Sequence, residues 1–365
     1  MSNAITISPN LLKEIYHHVE AGHISVKTCD LHDLRIFNYT PRCQYDWIWT
    51  PATITCRGLS LDPNDNIIAR PFPKFFTIEQ YGCLNNFQQL YGISYDNILD
   101  GDFTVTEKYD GSLIIITNYN NNLVISSRGS FTSPQAIKAH NLASHFDINW
   151  FLPGYTYLFE IIYPENRDTT PLVVDYGNQE ELILLAVIDN ATGLDVCVKE
   201  WSHTPVAKTY DAENILELFL HDIPGREGYV IHLQPSNIRI KIKFDNYTQL
   251  QRLVNNTTRK HIWKLLSDHE KVEIDLLPIF LQNKVQDIIV ELKQEFESVK
   301  RKAMLMTQTA SSKKVLALNY NGPNKELLPV AFAIMDNKPK IVEKLIWKYI
   351  KPKRLNVQQE NSNEE

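Results

Sequence analysis

The spacing of the apolar residues changes near Tyr247, and this change constrains the fold more than any other feature. From Ile24 to that point, β-branched and aromatic residues gather in short runs separated by polar turns such as 118–122. Such runs are typical of strands in a mostly antiparallel sheet. Beyond it, apolar residues recur at helical spacing over 285–299 and again over 341–346. We therefore expect an α+β chain with a mostly helical C-terminal part.

These patterns also predict the elements and the domains. The expected strands are Phe103–Thr106, Leu113–Thr117, Leu123–Ser126, Tyr155–Ile162, Leu182–Ile188, Gly228–Leu233 and Ile238–Phe244. Ser8-Pro9-Asn10 predicts the capped start of a helix that ends near Gly22, and a further helix is expected near 134–145. We expect a first domain at 1–250, a helical domain at 251–355 and a disordered polar tail at 356–365.

Composition excludes several classes of protein. The 365 residues are 43% hydrophobic and 22% charged, which excludes global disorder and a fibrous protein. With 37 Lys+Arg against 43 Asp+Glu the net charge is −6, so any phosphate site must be a local cluster of cations. There is no apolar run long enough for a membrane span and no signal-peptide pattern, so we expect a cytoplasmic protein with no membrane contact. Five cysteines without a C-x-x-C pair predict neither a disulfide framework nor a zinc site.

The most specific local string is Glu107-Lys108-Tyr109-Asp110-Gly111-Ser112, which lies between two expected strands. A lysine beside an Asp-Gly turn is common in surface hairpins, so the string alone decides little. An ordered set of strings follows it: Ser127-Arg128-Gly129-Ser130, Leu158-Phe159-Glu160, Pro164-Glu165-Asn166-Arg167, Leu182–Ile188, Arg226-Glu227-Gly228-Tyr229-Val230 and Lys241-Ile242-Lys243. Three precede it: Arg35-Ile36-Phe37-Asn38-Tyr39, Cys56-Arg57-Gly58 and the run 70–76.

This ordered set resembles the covalent nucleotidyltransferase superfamily of RNA ligases, DNA ligases and capping enzymes, with Lys108 at the nucleophile of the K-x-D-G motif. The strings before Lys108 resemble the RNA ligase 1 family, whose archetype is a phage enzyme that repairs cleaved tRNA. The resemblance covers roughly residues 33–250 and implies an antiparallel-sheet nucleotidyltransferase (ligase) domain. It implies an ATP-dependent RNA ligase that joins a 5′-phosphate end to a 3′-hydroxyl end through a lysyl-AMP and an RNA-adenylate.

The resemblance also implies roles for individual residues. Lys108 is the expected nucleophile, Glu227 and Glu160 are candidate metal ligands, and Tyr247 matches a position implicated in sealing. The expected nucleotide-contacting residues are Tyr39, Arg57, Lys74, Phe76, Glu107, Arg128, Glu160, Lys241 and Lys243. Tyr39 and Phe76 could equally be core aromatics, and Glu107 could accept from the adenine amine. The family's second motif often has Lys where this chain has Arg128, which changes the geometry of that phosphate contact.

The chemistry of a lysine nucleophile supports the same residues. An amine must be neutral to attack, but free lysine has a pKa near 10.4, so desolvation or neighbouring cations must destabilise the ammonium. Lys241 and Lys243 are spaced i, i+2 and therefore point to the same face of a strand. Such a pair is either an ordinary solvated face or a site for an anion; within this motif set we expect it to bind the α-phosphate.

The expected cofactors and partners follow from the resemblance. They are ATP and Mg²⁺, for which Mn²⁺ can substitute, RNA with 5′-phosphate and 3′-hydroxyl ends such as cleaved tRNA, and an end-healing kinase or phosphatase. The C-terminal stripe of lysines between Lys338 and Arg354, interleaved with Trp347 and Tyr349, is either a solvated helix face or an RNA-docking surface.

Two other functions remain open at this point. A GTP-dependent capping guanylyltransferase shares the lysyl-nucleotide step, but such enzymes usually carry an OB-fold after the last motif, and the helical C-terminal pattern disfavours one. A catalytically silent RNA-end-binding module would keep the scaffold without the chemistry. The intact Lys108, Glu160, Glu227 and the two lysines of the last motif disfavour that alternative.

Overall fold

A computed structural model of the protein divides the chain into two compact units, one running to Thr248 and the other beginning at Gln249. The described residues are 5–29, 33–164, 172–196, 201–255, 257–277, 279–308, 310–320, 322 and 324–352. The expected tail at 356–365, the end of the lysine stripe at 353–354 and residues 165–167 of the motif set lie outside them.

A four-stranded antiparallel sheet and one helix form the beginning of the first unit. The strands pair in chain order: β1 (Ile24–Cys29), β2 (Leu34–Tyr39), β3 (Arg57–Leu61) and β4 (Ile67–Ala69). Helix α1 (Pro9–Glu20) begins where the Ser8 hydroxyl accepts a hydrogen bond from the Leu11 amide, which confirms the predicted cap. The apolar face of α1, including the fully buried Ile15, packs in one cluster with Phe37 of the sheet.

Four short helices that the apolar pattern does not show follow β2 and β4. They are α2 (Pro41–Tyr45), α3 (Pro51–Thr55), α4 (Ile78–Gly82) and α5 (Phe87–Tyr91). Three of the four are capped by a threonine whose hydroxyl accepts a hydrogen bond from the amide three residues on, namely Thr40, Thr50 and Thr77. Two of these helices also start with proline, whose fixed φ suits the first helical position.

Two further antiparallel sheets contain the motif strings. Their strands are β5 (Phe103–Lys108), β6 (Ser112–Tyr119), β7 (Asn122–Ser127), β8 (Tyr155–Ile162), β9 (Glu181–Asp189), β10 (Asp195–Val196), β11 (Thr209–Tyr210), β12 (Gly228–Leu233) and β13 (Ile238–Lys243). One sheet has the order β10-β9-β8-β6-β7 and the other β11-β5-β12-β13. Helix α6 (Pro134–Leu142) packs on the first of these sheets, and α7 (Ile215–Leu218) precedes β12. The predicted strands and the predicted α+β class are confirmed.

The turn after Lys108 is a crossing between these two sheets. Strand β5 ends at Lys108, and β6 begins at Ser112 in the other sheet. The Asp110-Gly111 turn therefore does not close a hairpin, which excludes the surface-hairpin alternative for this lysine. The nucleophile candidate lies instead where two sheets of the same unit meet.

The second unit is helical, as predicted. After α8 (Asp245–Asn255) come α9 (Arg259–Ser267), α10 (Ile279–Thr307), α11 (Lys313–Asn319), α12 (Leu328–Met335) and α13 (Pro339–Tyr349). One detail of the prediction is wrong. Trp347 is buried against Phe296 with ring centroids 5.0 Å apart, so it belongs to the core and not to the lysine stripe. None of the described helices is both long and apolar enough to cross a membrane.

Candidate active site

Three neighbouring strands bring two lysines of different motifs to either side of one glycine. Gly228 on β12 pairs with Lys108 on β5 and with Lys243 on β13. Directly paired residues project to the same face of a sheet, and two strand spacings separate their backbones by about 10 Å. Gly228 has φ 153°, and a Cβ there would overlap the carbonyl oxygen of Ile242. Only glycine therefore fits between the two lysines.

The carboxylate of Glu227, directly before that glycine, receives both ammonium groups. Its Oε1 lies 2.7 Å from Nζ of Lys108 and 3.6 Å from Nζ of Lys243. Its backbone oxygen accepts a hydrogen bond of 2.9 Å from the Phe244 amide, which fixes the carboxylate at the end of β13. Glu227 is 3% exposed, and a carboxylate so far from water must be compensated by cations or donors. The site therefore holds one buried carboxylate between two lysines.

Asp110 anchors the turn that follows the nucleophile candidate. Its Oδ2 accepts hydrogen bonds from the amides of Val173 and Val174 at 2.5 and 2.9 Å. Its Oδ1 accepts from the hydroxyl of Tyr247 at 3.0 Å, and its own amide donates to the hydroxyl of Tyr176 at 2.9 Å. Three donors on one buried carboxylate hold the crossing between the sheets in a single conformation.

Burial and neighbouring carboxylates raise pKa values around this turn. Burial, followed by the charge of Glu227, raises the pKa of Asp110 to about 6, against the amides of Val174 and Val173 and the charge of Lys108. Burial also raises the pKa of the Tyr176 hydroxyl, and the charges of Asp110, Glu227 and Glu160 contribute to that rise. Glu160 on β8 lies against the same turn, since a Cβ at Gly111 would be 2.9 Å from its Cγ.

A second cluster contains Tyr39, Lys74 and Arg128. The hydroxyl of Tyr39 accepts hydrogen bonds from Nζ of Lys74 at 3.3 Å and from Nη1 of Arg128 at 3.2 Å. Nζ of Lys74 also lies 5.2 to 5.5 Å from the ring centroids of Tyr39, Trp49 and Phe76. Lys74 is only 5% exposed, so its ammonium is held in an aromatic cage by cation–π contacts. Tyr39 and Phe76 are buried and serve as walls of this cage.

Strand β13 connects the two clusters. The amide of Lys241 donates to the carbonyl oxygen of Phe76 at 3.1 Å, next to a parallel bridge between Phe76 and Ile240. Lys241 is 4% exposed and lies on the same face of β13 as Lys243 by strand alternation. The aromatic cage and the carboxylate site are therefore attached to one strand.

Arg57 and Glu107 complete the set of expected nucleotide contacts. Arg57, 8% exposed at the start of β3, lies over the ring of Phe75, and the adjacent Gly58 approaches the backbone of Arg128 so closely that a Cβ would lie 3.2 Å from its carbonyl oxygen. The Oε2 of Glu107 accepts a hydrogen bond of 2.7 Å from Tyr210, and Arg226 lies 4.0 Å from its Oε1.

The carboxylates suit a hard divalent cation. Mg²⁺ prefers oxygen ligands and usually keeps several waters, so one or two carboxylates suffice for a protein site. Glu227 supplies such oxygens beside the nucleophile candidate, and Glu160 supplies them beside Gly111 of the following turn. The described residues contain no cluster of three or more His, Cys, Asp or Glu side chains that could hold an ion by themselves. This donor set fits a metal ion that shares its coordination with phosphate oxygens and water.

Comparison with known proteins identifies the family. Residues 55–247, more than half of the chain, match the family model described as RNA ligase. The chain belongs to the RNA ligase family. The family predicted from the order of the motifs is thereby confirmed, and the match covers Lys108, Glu227 and Lys243.

Individual relatives of this family member are distant. A protein of Autographa californica nuclear polyhedrosis virus, described as a bifunctional polynucleotide kinase/RNA ligase, is 26% identical over 254 residues. The alignment covers 63% of this chain and 35% of the relative, so the chain spans about a third of the relative's length.

Two solved structures are similar at a lower level. A protein described as an ATP-dependent DNA ligase from Aquifex aeolicus has 17% identity and a TM-score of 0.49 over 81% of both chains. A Naegleria gruberi RNA ligase with pyrophosphate has 15% identity and a TM-score of 0.33 over 41% of this chain and 51% of its own. Both TM-scores are low, so the family assignment rests on the family model.

The site also contains residues that the sequence analysis did not select. Asp110 belongs to the K-x-D-G string, and it could have been chosen as the residue whose carboxylate accepts hydrogen bonds that hold the turn. Tyr176, Trp49 and Tyr210 carry no such signal, because they reach the site from segments without a motif. Their roles depend on tertiary contacts alone.

The three-strand arrangement predicts the effect of filling Gly228. We expect Gly228→Ala to lower the unfolding free energy of the first unit by about 1–3 kcal/mol. The new Cβ would overlap the backbone of Ile242, which cannot rotate away as a side chain could. Gly92→Ala is the matched control: φ is also positive, at 74°, but nothing lies within 4 Å of the added Cβ. Urea unfolding measures both. Equal losses of stability would show that the strands tolerate a side chain at Gly228.

The Asp110 anchor gives a second prediction. At pH 8 the Asp110 carboxylate is ionised, because its pKa is about 6. Tyr247→Phe removes one donor from this buried charge and should cost about 1.5–3 kcal/mol of unfolding free energy in urea. Tyr45→Phe, at a side chain that is 90% exposed, should leave stability unchanged. If the two variants unfold alike, the hydrogen bond to Asp110 does not hold the turn.

Proposed function

We propose that the chain is an ATP-dependent RNA ligase that joins 5′-phosphate and 3′-hydroxyl RNA ends, with Lys108 as the adenylylated residue. The observation that carries the proposal is the position of Lys108. Its Nζ lies 2.7 Å from the buried Glu227 at the junction of two sheets, inside the region that matches the family. A lysine that served only as a surface cation would not need a buried carboxylate partner or a glycine beside it.

The first step is attack by the neutral amine of Lys108 on the α-phosphorus of ATP. The N–P bond forms, the bond from the α-phosphorus to the bridging oxygen breaks, and pyrophosphate leaves. Glu227 is shared with Lys243, so it compensates two ammonium groups at once. The neighbouring ammonium group of Lys243 favours loss of the Lys108 proton, and the carboxylate of Glu227, 2.7 Å away, is the proposed acceptor of that proton. Lys241 and Lys243 then stabilise the charge on the transferred phosphate.

The second and third steps reuse the same position. An oxygen of the RNA 5′-phosphate attacks the lysyl-AMP phosphorus, the P–N bond breaks and Lys108 recovers its amine. The 3′-hydroxyl oxygen then attacks the 5′-phosphate phosphorus of the RNA-adenylate, and AMP leaves. All three are in-line phosphoryl transfers, in which positioning and electrostatic stabilisation do most of the catalysis.

The remaining residues hold the nucleotide and a metal ion. Glu227 and Glu160 would hold Mg²⁺ or Mn²⁺, which neutralises triphosphate charge when bound. Arg57, Lys74 and Arg128 are the proposed phosphate contacts, with Tyr39 and Phe76 keeping the Lys74 ammonium in place through the aromatic cage. We assign Glu107 to the adenine amine. Tyr247 would act in sealing through its contacts with Asp110 and Lys243.

The proposed substrate is RNA with a break that has been prepared for ligation, such as cleaved tRNA. The viral relative is described as both a polynucleotide kinase and an RNA ligase, and this chain spans 35% of it. A kinase supplies the 5′-phosphate that the second step requires. We therefore propose that an end-healing kinase or phosphatase acts with this chain, and that the part up to about residue 250 performs the adenylylation.

Replacing the nucleophile tests the proposal. Lys108→Ala should abolish transfer of label from α-labelled ATP to the denatured protein, yet keep the ability to seal RNA that already carries a 5′-adenylate. Lys13→Ala, an exposed lysine on α1, is the matched control and should label like the unaltered chain. Label that persists on Lys108→Ala would contradict the proposal. Label from GTP in place of ATP would indicate a capping enzyme.

The phosphate lysines give a separate prediction. Lys241→Ala and Lys243→Ala should each lower the rate of adenylylation by about 10²–10³, since each removes a cation from the transferred phosphate. Thermal melting of the same variants separates lost chemistry from lost folding. Wild-type labelling rates in variants that melt normally would show that the pair is a structural feature of β13.

A further inference from the structure

A basic cavity lies in the second unit, on the surface of helix α9. It has a volume of about 530 Å³, within the range of small-ligand sites. Three lysines, one tryptophan and a single carboxylate are among its lining residues: Lys260, Lys264, Lys351, Trp263 and Asp268. The sequence analysis placed Lys351 in the lysine stripe but did not select the residues of α9.

Trp263 is a fixed platform in the wall of this cavity. Its indole Nε1 donates a hydrogen bond of 2.9 Å to the carbonyl oxygen of Trp347, which is itself packed in the core against Phe296. The ring is half-buried, and Nζ of Lys351 lies 5.4 Å from its centroid. The ring is therefore held from the protein side while it still borders the cavity, next to a cation.

The charges of the cavity are not neutralised by the protein. Lys260, Lys264 and Lys351 are exposed, and none forms an ion pair with a carboxylate within the described part of the chain. By contrast, the neighbouring Arg259 forms ion pairs with Glu291 and Glu295 on α10. The lining lysines thus give a local positive potential in a chain of net charge −6.

We infer that this cavity binds one nucleotide of single-stranded RNA, with its base against Trp263 and its phosphates held by Lys260, Lys264 and Lys351. Aromatic rings beside lysines are the usual combination for single strands, since every base has a π-face and every linkage a negative charge. The inference rests on the proposed function for the identity of the polyanion. The aromatic side chain that would contact RNA is therefore Trp263, which borders the cavity, and not Trp347 of the expected stripe.

The test compares two triple variants of the full chain with the same change of charge. Lys260→Gln, Lys264→Gln and Lys351→Gln remove the cavity lysines, whereas Lys293→Gln, Lys302→Gln and Lys314→Gln remove exposed lysines that do not line it. Binding of a short single-stranded RNA with both ends blocked is followed by fluorescence anisotropy over a range of NaCl concentrations. The slope of log affinity against log salt should fall by about 1.4 in the cavity variant, at about 0.7 for each of the two phosphates that flank the bound nucleotide. The control slope should not change.

A crosslink locates the base. RNA containing 5-iodouridine should crosslink to the peptide that carries Trp263, and Trp263→Ala, provided that it melts normally, should weaken RNA binding about tenfold. An unaltered salt slope in a cavity variant that melts normally, or a crosslink confined to other peptides, overturns the inference. Equal competition by polyglutamate also overturns it, because the cavity would then bind acidic protein segments.

Labelling by ATP distinguishes this failure from failure of the proposed function. Both triple variants should label with ATP as the unaltered chain does, because the cavity is not part of the adenylylation chemistry. If the unaltered chain does not label at all, the ligase proposal fails, while the salt slope and the crosslink still decide whether the cavity binds RNA.

Discussion

The carboxylate of Glu227 lies between the ammonium groups of Lys108 and Lys243, and much of the first unit serves to hold that contact. Glu227 directly precedes β12, and the strands on either side of β12 bring one lysine each. Because Gly228 has no side chain, it leaves room for the Lys108 and Lys243 side chains to approach the carboxylate of Glu227. A carboxylate that is 3% exposed is costly without compensation, so the loss of either lysine would leave it poorly satisfied.

The turn after Lys108 depends on a second buried charge. Asp110 accepts hydrogen bonds from two amides of one segment and from the hydroxyl of Tyr247, so two separate parts of the chain fix the direction in which the chain leaves β5. The position of Lys108 is therefore determined twice, by the register of its strand and by the anchored turn. A lysine held in this way would need little reorganisation to act as the proposed nucleophile, which is the condition for in-line transfer.

The sequence predicts the parts of this arrangement that are local. Runs of β-branched residues predict β6 to β9, β12 and β13, because strand formation there follows the apolar pattern. The same pattern does not show which strands pair, so the separation of β5 and β6 into two sheets could not be predicted. The contact between Lys108 and Glu227 depends on the pairing of β5 with β12, which the pattern does not show either. The burial of Trp347 could not be predicted for a related reason. In a lysine-rich helix, the sequence alone does not show which aromatic side chain packs into the core.

The cations that the fold brings together in the site connect the fold with the proposed function. Lys74 in its aromatic cage, Lys241 on β13 and the pair on Glu227 are buried or nearly so in an acidic protein, and an ATP phosphate chain is the ligand that such an arrangement suits. Mass spectrometry of the intact chain after incubation with ATP and Mg²⁺, followed by peptide mapping, tests this directly. The account predicts one AMP adduct, carried by the peptide that contains Lys108. No adduct, or an adduct on a different residue, would contradict it.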